Sequence, residues 1–400
     1  MTDTLLRRAT LADGSTVDVR LRGDRIDAVG DLEAGPDDEV VDLAGWLLLP
    51  AAAEPHAHLD KAFLAERLTN ERGDLGGAID VMVAARPTID VADTVERAER
   101  AARRMAANGF GFVRTHADTT LDHGLTSIEA LVEVRRRVEG VIDVEIVALS
   151  GWPVVGAEGA DQRALTREAM ARGADVVGGC PHLEDCTADA VRAATETLLE
   201  LAADFGVPVD LHTDETLDPA ADGLADLAEI VTATGFDQPV TASHCVSLGM
   251  RTTDRQREVA AAVAEAGISV VALPATNLYL QGREHQQAMP RGLTAVKALR
   301  QAGVVVAAGG DNLQDPFNPV GRADPFETAG LMVLTAHLSA AEAWATVTDE
   351  ARRAVGRTAA VVAPDAPADL FAVRAGTLRE AIATAPGDRK VWRRGALLTA

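Results

Sequence analysis

The residues best suited to chemistry sit in one short stretch, Glu54-Pro55-His56-Ala57-His58-Leu59-Asp60-Lys61. It follows an apolar run, residues 46–53, that reads as a buried strand. Residues two apart on a strand share a face. His56 and His58 are therefore expected to present two imidazoles side by side at a strand's end, a pair that suits a zinc or iron-like divalent ion. On a surface strand the same His-x-His is solvated decoration, and the motif alone does not separate the two readings.

What must position these histidines is legible in the rest of the chain. Apolar β-like runs recur at 110–115, 142–149, 174–179, 207–212, 240–244, 268–273 and 304–308, which with 46–53 makes eight. Helical periodicity fills the gaps at 91–108, 127–138, 164–172, 188–205, 223–234, 255–265 and 293–301, with capping-box spacings at Thr126-x-x-Glu129 and Ser339-x-x-Glu342. Buried strands alternating with helices predict an α/β fold, a (β/α)8 TIM-like barrel. The alternative is an open doubly wound sheet, but no G-x-G-x-x-G follows an early strand and a dinucleotide site is not supported. Short strands and turns open the chain and resume near its end, at 369–373 and 391–398. Both ends are expected to pair into one small β-sandwich domain, residues 1–49 and 366–400, with the barrel, 50–365, inserted between them.

In such a barrel the chemistry sits at the C-terminal ends of the strands. His56 and His58 fall after the first strand, His116 after the second, His212 after the fifth, His244 after the sixth and Asp311 after the eighth, so five of the nine histidines share one rim. His123, His182, His285 and His337 fall in loops or helices and read as structural or solvated. His56, His58, His212 and Asp311 offer three nitrogens and one oxygen to a single divalent metal ion, Zn or Fe, leaving room for a water whose pKa the ion lowers toward about 7. Asp311 could also take a proton from that water. Glu215, three residues past His212, is placed to reach substrate and protonate a leaving nitrogen; the alternative is a carboxylate at a helix N-terminus. His244 would orient the water or stabilise developing charge, unless it is a satisfied core histidine. A second metal bridged by a carboxylated lysine would need a lysine at an inner strand end. Of the three lysines, Lys297 lies in a helix and Lys390 near the C-terminus, so the site reads as mononuclear.

Bulk composition bounds the partners. With 47% apolar and 25% charged residues the chain has a packed core, filled by Ala, Val and Leu because aromatics make up only 3%. The net charge of -23 opposes nucleic-acid binding. No apolar run is long enough to span a bilayer and no basic-then-apolar signal opens the chain, so the expected location is cytoplasmic and no membrane partner is expected. Cys180, Cys186 and Cys245 follow no disulfide framework and read as reduced thiols. Subunit number is left open, a homo-oligomer included.

The ordered set of motifs resembles the amidohydrolase superfamily, and within it the cytosine deaminase-like branch. It runs through Glu54-Pro55-His56-Ala57-His58-Leu59-Asp60, Val113-Arg114-Thr115-His116-Ala117-Asp118, Gly173-Ala174-Asp175-Val176-Val177-Gly178, Asp210-Leu211-His212-Thr213-Asp214-Glu215, Thr241-Ala242-Ser243-His244, Leu280-Gln281-Gly282-Arg283, Gly310-Asp311-Asn312 and Asp315-Pro316. The resemblance implies a metal-dependent hydrolase that removes an exocyclic amino group from a small nitrogen heterocycle. By the same resemblance His56, His58, His212 and Asp311 hold the metal, Glu215 shuttles a proton to the ring nitrogen, and His244 with Asp311 activates water. Three departures point away from cytosine. Gly151 stands where cytosine deaminases carry a glutamine that reads the ring's amide edge, Asn312 where they carry a second aspartate, and Lys61 where they carry a small polar residue. A lysine there looks like the branch that hydrolyses amino- or alkylamino-triazines, and would suit a ring with carbonyl or carboxylate oxygens. Lys61, Trp152 and Asn312 are thus expected substrate contacts, with an ion pair to a carboxylate as the alternative for Lys61 and burial in the barrel wall for Trp152. The alternatives to deamination are cleavage of another cyclic or exocyclic C–N bond, of the amide or alkylamino-triazine type, and a non-catalytic metal-binding scaffold.

Overall fold

The computed structural model describes residues 3–398 apart from Cys186, the expected reduced thiol, which lies outside the described residues. Eight parallel strands pair in sequence order: Ala52–Ala57, Phe110–Thr119, Asp143–Ser150, Val176–Gly179, Val209–Thr213, Val240–His244, Ser269–Ala272 and Val306–Ala308. Nearly every residue of these strands is buried, as expected for a sheet covered on one face by helices and closed on itself on the other. The sheet curls until its last strand meets its first. Asp311 completes the seam, donating its backbone N–H to the His56 carbonyl at 3.0 Å and accepting from the His58 N–H at 3.1 Å. The pairing that closes the barrel thus also carries the Asp311 carboxylate to the two histidines.

The first barrel strand differs from expectation. The apolar run 46–53 is divided between two sheets. Leu47–Pro50 pairs antiparallel with Leu370–Val373 in the terminal domain, and the barrel strand is Ala52–Ala57. Both segments are buried, so hydrophobicity alone could not show where one sheet yields to the other. The second strand runs further than expected, to Thr119 rather than 115.

The two chain ends share one eight-stranded sheet, in which strands near the C-terminus (Leu370–Val373, Arg389–Arg393, Ala396–Leu397) join Thr4–Thr10, Thr16–Arg22 and Arg25–Gly30 through Leu47–Pro50, while Glu39–Asp42 pairs with Thr4–Thr10. The expected small sandwich is built as this one sheet. It encloses its own core around Leu6, Leu21, Ile26, Trp46, Leu370 and Trp392.

The helices obey local rules where the sequence supplies them. Val91–Ala107 is capped by Asp90, whose carboxylate accepts from the Asp93 N–H, and buries Val95, Ala98, Ala102 and Met105, positions three or four apart. Ser339 and Glu342 form the expected capping box; Thr126 does not, being instead the first residue of its helix. Several helices fall outside the expected stretches, among them Pro274–Leu280, Pro325–Thr335, Leu378–Thr384 and, over the site, Leu75–Ala85. Asp74 caps this last one by accepting from the Gly77 N–H at 2.6 Å. Gly76 and Gly77 in its first turn weaken the helical signal. Gly77 makes room for Asn70: a Cβ would lie 2.3 Å from Asn70 Oδ1, and that side chain would have to shift.

Candidate active site

His56 is part of the first barrel strand and His58 follows it; His212 lies on the fifth strand, His244 ends the sixth, and Asp311 follows the eighth. All five are buried and face one another. His58 Nε2 is 3.2 Å from His212 Nε2 and 3.3 Å from Asp311 Oδ1, and His56 Nε2 is 3.6 Å from the same oxygen. Two overlapping triads, His56–His58–Asp311 and His56–His212–His244, each bring their candidate donor atoms within 4.8 Å of one another. The backbone is bent to achieve this: Asp311 has φ 62°, His244 φ 68° and Asp214 φ 49°, a left-handed conformation uncommon for residues other than glycine.

The donor chemistry fits a divalent cation. Burial, reinforced by the neighbouring imidazoles or by Lys61, holds His56, His58 and His212 well below the usual histidine pKa, so each ring is neutral with one lone pair available. The facing Nε2 atoms of His58 and His212 need a proton or a cation between them. His56 Nε2 and Asp311 Oδ2 are buried with no hydrogen-bond partner, a state that costs free energy unless a ligand satisfies them. The other nitrogen of His56 is committed. Nδ1 lies 2.9 Å from Ser243 Oγ, which donates to Asp210 Oδ1 at 3.1 Å, and Asp210 Oδ2 accepts from Arg114 Nη1 at 2.9 Å. That relay orients the ring and leaves Nε2 facing Asp311. Burial pushes Asp311 up to about 8, helped by Asp315, so without a cation its carboxyl tends to keep its proton. His116 stacks on His56 with centroids 3.9 Å apart; it lies deeper in the barrel, and neither of its nitrogens has a partner.

Glu215 follows the fifth strand and lines the cavity beside this cluster. Its Oε1 is buried without a hydrogen bond, 3.5 Å from His244 Nδ1, and burial together with Asp311 raises its pKa well above the carboxylate range. Its surroundings therefore favour the protonated carboxyl, beside the cavity. His244 Nδ1 is 3.0 Å from Asn277 Oδ1, which leaves Nε2 unpartnered.

Lys61 occupies the other side of the cavity and is fully engaged. Its ammonium donates to Asp118 Oδ1 at 2.6 Å, lies 3.1 Å from His58 Nδ1 and is 3.5 Å from Asp60 Oδ1. Burial opposes the charge, but Asp118 and Asp60 outweigh it and leave the lysine pKa raised. Asp118 in turn accepts from Arg86 Nη2 at 3.2 Å, and Arg86 Nη1 donates to both oxygens of Asp122 at 2.8 Å. Asn312 lines the cavity with both side-chain atoms bonded inward, donating to Asp315 Oδ2 at 2.8 Å and accepting from Thr276 Oγ1 at 3.1 Å. Trp152 stands at the mouth, 43% exposed.

These groups surround a cavity of about 80 Å³, walled on its apolar side by Leu75, Ile79 and Met82 of helix Leu75–Ala85 together with Leu149, Leu183 and Phe317. A groove of about 860 Å³ adjoins it; Leu75, His182, Leu183 and Glu215 line both. Sequence reasoning missed Asp118, Arg86, His182 and the covering helix. Asp118 carried a signal, because Arg114, His116 and Asp118 continue an every-second-residue polar pattern along the second strand. The main partner of Lys61, Asp118, lies 57 positions away, and no local pattern joins the two.

Comparison with known proteins agrees with this geometry. The model of the amidohydrolase family matches residues 76–398, so His56 and His58 lie just outside the matched segment. A pterin deaminase from Rhizobium rhizogenes is 34% identical over 365 residues, covering 89% of this chain and 82% of that protein. The crystal structure of a 5-methylcytosine deaminase from Klebsiella pneumoniae liganded with 5-fluorocytosine superposes with a TM-score of 0.89 at 29% identity, covering 99% of this chain and 97% of the other. An N-isopropylammelide isopropylaminohydrolase from Burkholderia multivorans superposes with a TM-score of 0.86, also at 29% identity, covering 99% and 98%.

Proposed function

The chain belongs to the amidohydrolase family, and on that premise we propose that it is a metal-dependent hydrolytic deaminase acting on a small nitrogen heterocycle other than cytosine. The observation that carries the reading is Glu215, a buried, unpartnered carboxylic acid in the same cavity as a cluster of neutral imidazoles and Asp311. The reading assigns the chemistry to residues 50–365 and gives the paired ends, 1–49 and 366–400, a supporting role.

His56, His58, His212 and Asp311 would hold one ion, Zn or Fe. When bound, the ion supplies the Lewis acidity that makes water a nucleophile near neutral pH. The chain's own side chains do the rest. Asp311 is the acceptor placed to draw a proton from the attacking water, and His244, with Nε2 unpartnered, lines the same cavity. Glu215, whose raised pKa favours the protonated form, passes its proton to a ring nitrogen as the water oxygen bonds to the ring carbon; the proton taken up by Asp311 goes to the exocyclic amine, which leaves as ammonia, and the remaining hydroxyl proton returns to Glu215 as the ring carbonyl forms. Leu75, Ile79 and Met82 exclude bulk water, which strengthens each of these interactions. Lys61 and Asn312 frame the ring's surroundings, and Trp152 offers a face for it to stack on.

Cleavage of an alkylamino C–N bond is the second reading, favoured by the similarity to the isopropylaminohydrolase. One assay separates the two. Zinc-loaded chain is offered pterin, 5-methylcytosine and N-isopropylammelide, and ammonia and isopropylamine are quantified separately. Deamination predicts ammonia from an amino-heterocycle. Isopropylamine alone would replace the first reading with the second, and no amine from any ring would defeat both.

A further inference from the structure

The polar side chains lining the cavity differ in how much hydrogen-bonding capacity remains to them. The Lys61 ammonium faces Asp118, Asp60 and His58, and the terminal nitrogens of Arg86 face Asp122 and Asp118. Both cations are thus neutralised by carboxylates. Asn312 is bonded at both ends. An anionic ring would find no unspent positive charge among these groups.

His182 is different. It follows the fourth barrel strand, in a short turn at Pro181–Leu183. Its Nδ1 lies 3.1 Å from the backbone carbonyl oxygen of His212. A carbonyl only accepts, so Nδ1 carries the ring's proton and Nε2 of the neutral ring is a bare lone pair. Nε2 is buried and has no partner, and the side chain lines both the cavity and the adjoining groove. A buried acceptor left open in this way awaits a donor. The neighbouring third strand ends at Ser150, beside Gly179 of the fourth, and is followed by Gly151, which offers no side chain to a ring. His182 Nε2 offers an open acceptor on this wall.

We infer that His182 is a specificity-determining residue whose Nε2 accepts a hydrogen bond from a ring N–H, so that the substrate is an uncharged aminated heterocycle bearing that N–H rather than a ring carrying a carboxylate. The inference rests on the deaminase reading and names the ring edge that the site recognises. It also gives Lys61 a different task from reading substrate oxygens: the lysine holds the Asp118–Arg86 wall and the His58 ring in place.

The test compares wild type, H182F and H182Q, all zinc-loaded, on matched probes: pterin against 3-methylpterin, and 5-methylcytosine against 1,5-dimethylcytosine. In each pair a ring N–H is exchanged for N–CH3. Binding is read by tryptophan fluorescence quenching and turnover by ammonia release. Wild type should prefer an N–H ring over its methylated partner. H182F should weaken binding of the N–H ring and raise its KM by about tenfold to a hundredfold, the usual loss for an unpaired buried hydrogen bond, with kcat changed far less. The preference over the methylated ring should disappear in H182F, and H182Q, whose amide oxygen also accepts, should recover part of it. If H182F fails to fold, H182N, whose amide is too short to reach, provides the same comparison. Wild-type discrimination that survives in H182F overturns the inference while leaving deamination intact. Discrimination in binding without ammonia release supports the role of His182 and defeats deamination. A wild type that binds none of the four rings overturns both.

Discussion

Two sides of one cavity follow opposite rules. On the Lys61 side the charged groups pair with one another, although Asp60 Oδ1 and Arg86 Nε make no hydrogen bond: Lys61 with Asp118 and Asp60, Asp118 with Arg86, Arg86 with Asp122, and Asn312 with Asp315 and Thr276. On the His56 side the corresponding atoms are left open: His56 Nε2, His244 Nε2, Glu215 Oε1, Asp311 Oδ2 and, at the edge, His182 Nε2. Both sets are buried in the same barrel mouth, so solvent does not explain the difference. An unpaired buried polar atom pays its full desolvation cost, whereas a paired one recovers part or all of it. The paired side therefore builds the wall, and the open side receives an ion and a ring.

That contrast can be broken in several places, beginning with the largest effect. Glu215→Gln keeps the shape of an open-side residue but removes its acidic proton. Turnover should fall by roughly 10² to 10⁴, the usual contribution of a general acid, with zinc content unchanged by metal analysis. A fully active variant would move Glu215 out of the mechanism. Next, Lys61→Met strips the paired side of its central cation and leaves Asp118 and Asp60 buried together. Removing one partner of a buried ion pair costs about 3–5 kcal/mol, so urea unfolding should show a loss of that order. A loss under about 1 kcal/mol would mean that the wall does not depend on the lysine.

A third prediction concerns pH and sharpens the comparison through Glu54, beneath the seam. Its carboxylate accepts from the backbone N–H groups of His56 and Gly310, yet burial still pushes its pKa up to about 8. A carboxyl whose folded pKa lies above its unfolded value binds more protons when folded, so stability falls as pH rises between the two values. In metal-free protein, wild type should lose stability relative to Glu54→Gln from pH 5 to pH 8; parallel unfolding midpoints across that range would contradict the assignment. The smallest expected effect is at the mouth. Trp152→Ala should raise KM by less than about tenfold, the scale of one aromatic contact, and leave stability within about 0.5 kcal/mol because the side chain is largely exposed. A larger loss of stability would place Trp152 in the wall rather than at the entrance.

The distinction between the two sides was only half visible in the amino-acid sequence. The open side was legible because its members end successive barrel strands, and the eight apolar runs locate those ends to within a few residues. His56, His58, His212, His244 and Asp311 could be aligned on one rim from spacing alone. The paired side was not legible, because pairing joins residues far apart in the chain. Lys61 stood out with a carboxylate partner as one reading, but nothing local marked Asp118, 57 positions on, as the group that takes up its charge, or Arg86 as the second cation on that aspartate. The helix Leu75–Ala85 was hidden by Gly76 and Gly77, whose low helix propensity masks a cap and three apolar positions facing the cavity. The first strand was misplaced because Leu47–Pro50 and Ala52–Ala57 are both buried, in different sheets, and only pairing distinguishes them. His182 was passed over because a histidine in a turn has no periodicity to reveal that its Nδ1 would meet a backbone carbonyl.

The central claim is that one ion, held by side chains from position 56 to position 311, is required for release of amine from a ring. The direct test is to strip the chain of metal, titrate zinc back, and follow ammonia release at each addition. The account predicts no release without zinc, a linear rise, and a plateau at one zinc per chain. Release by the metal-free chain, or a rise continuing to two zinc ions per chain, would contradict it.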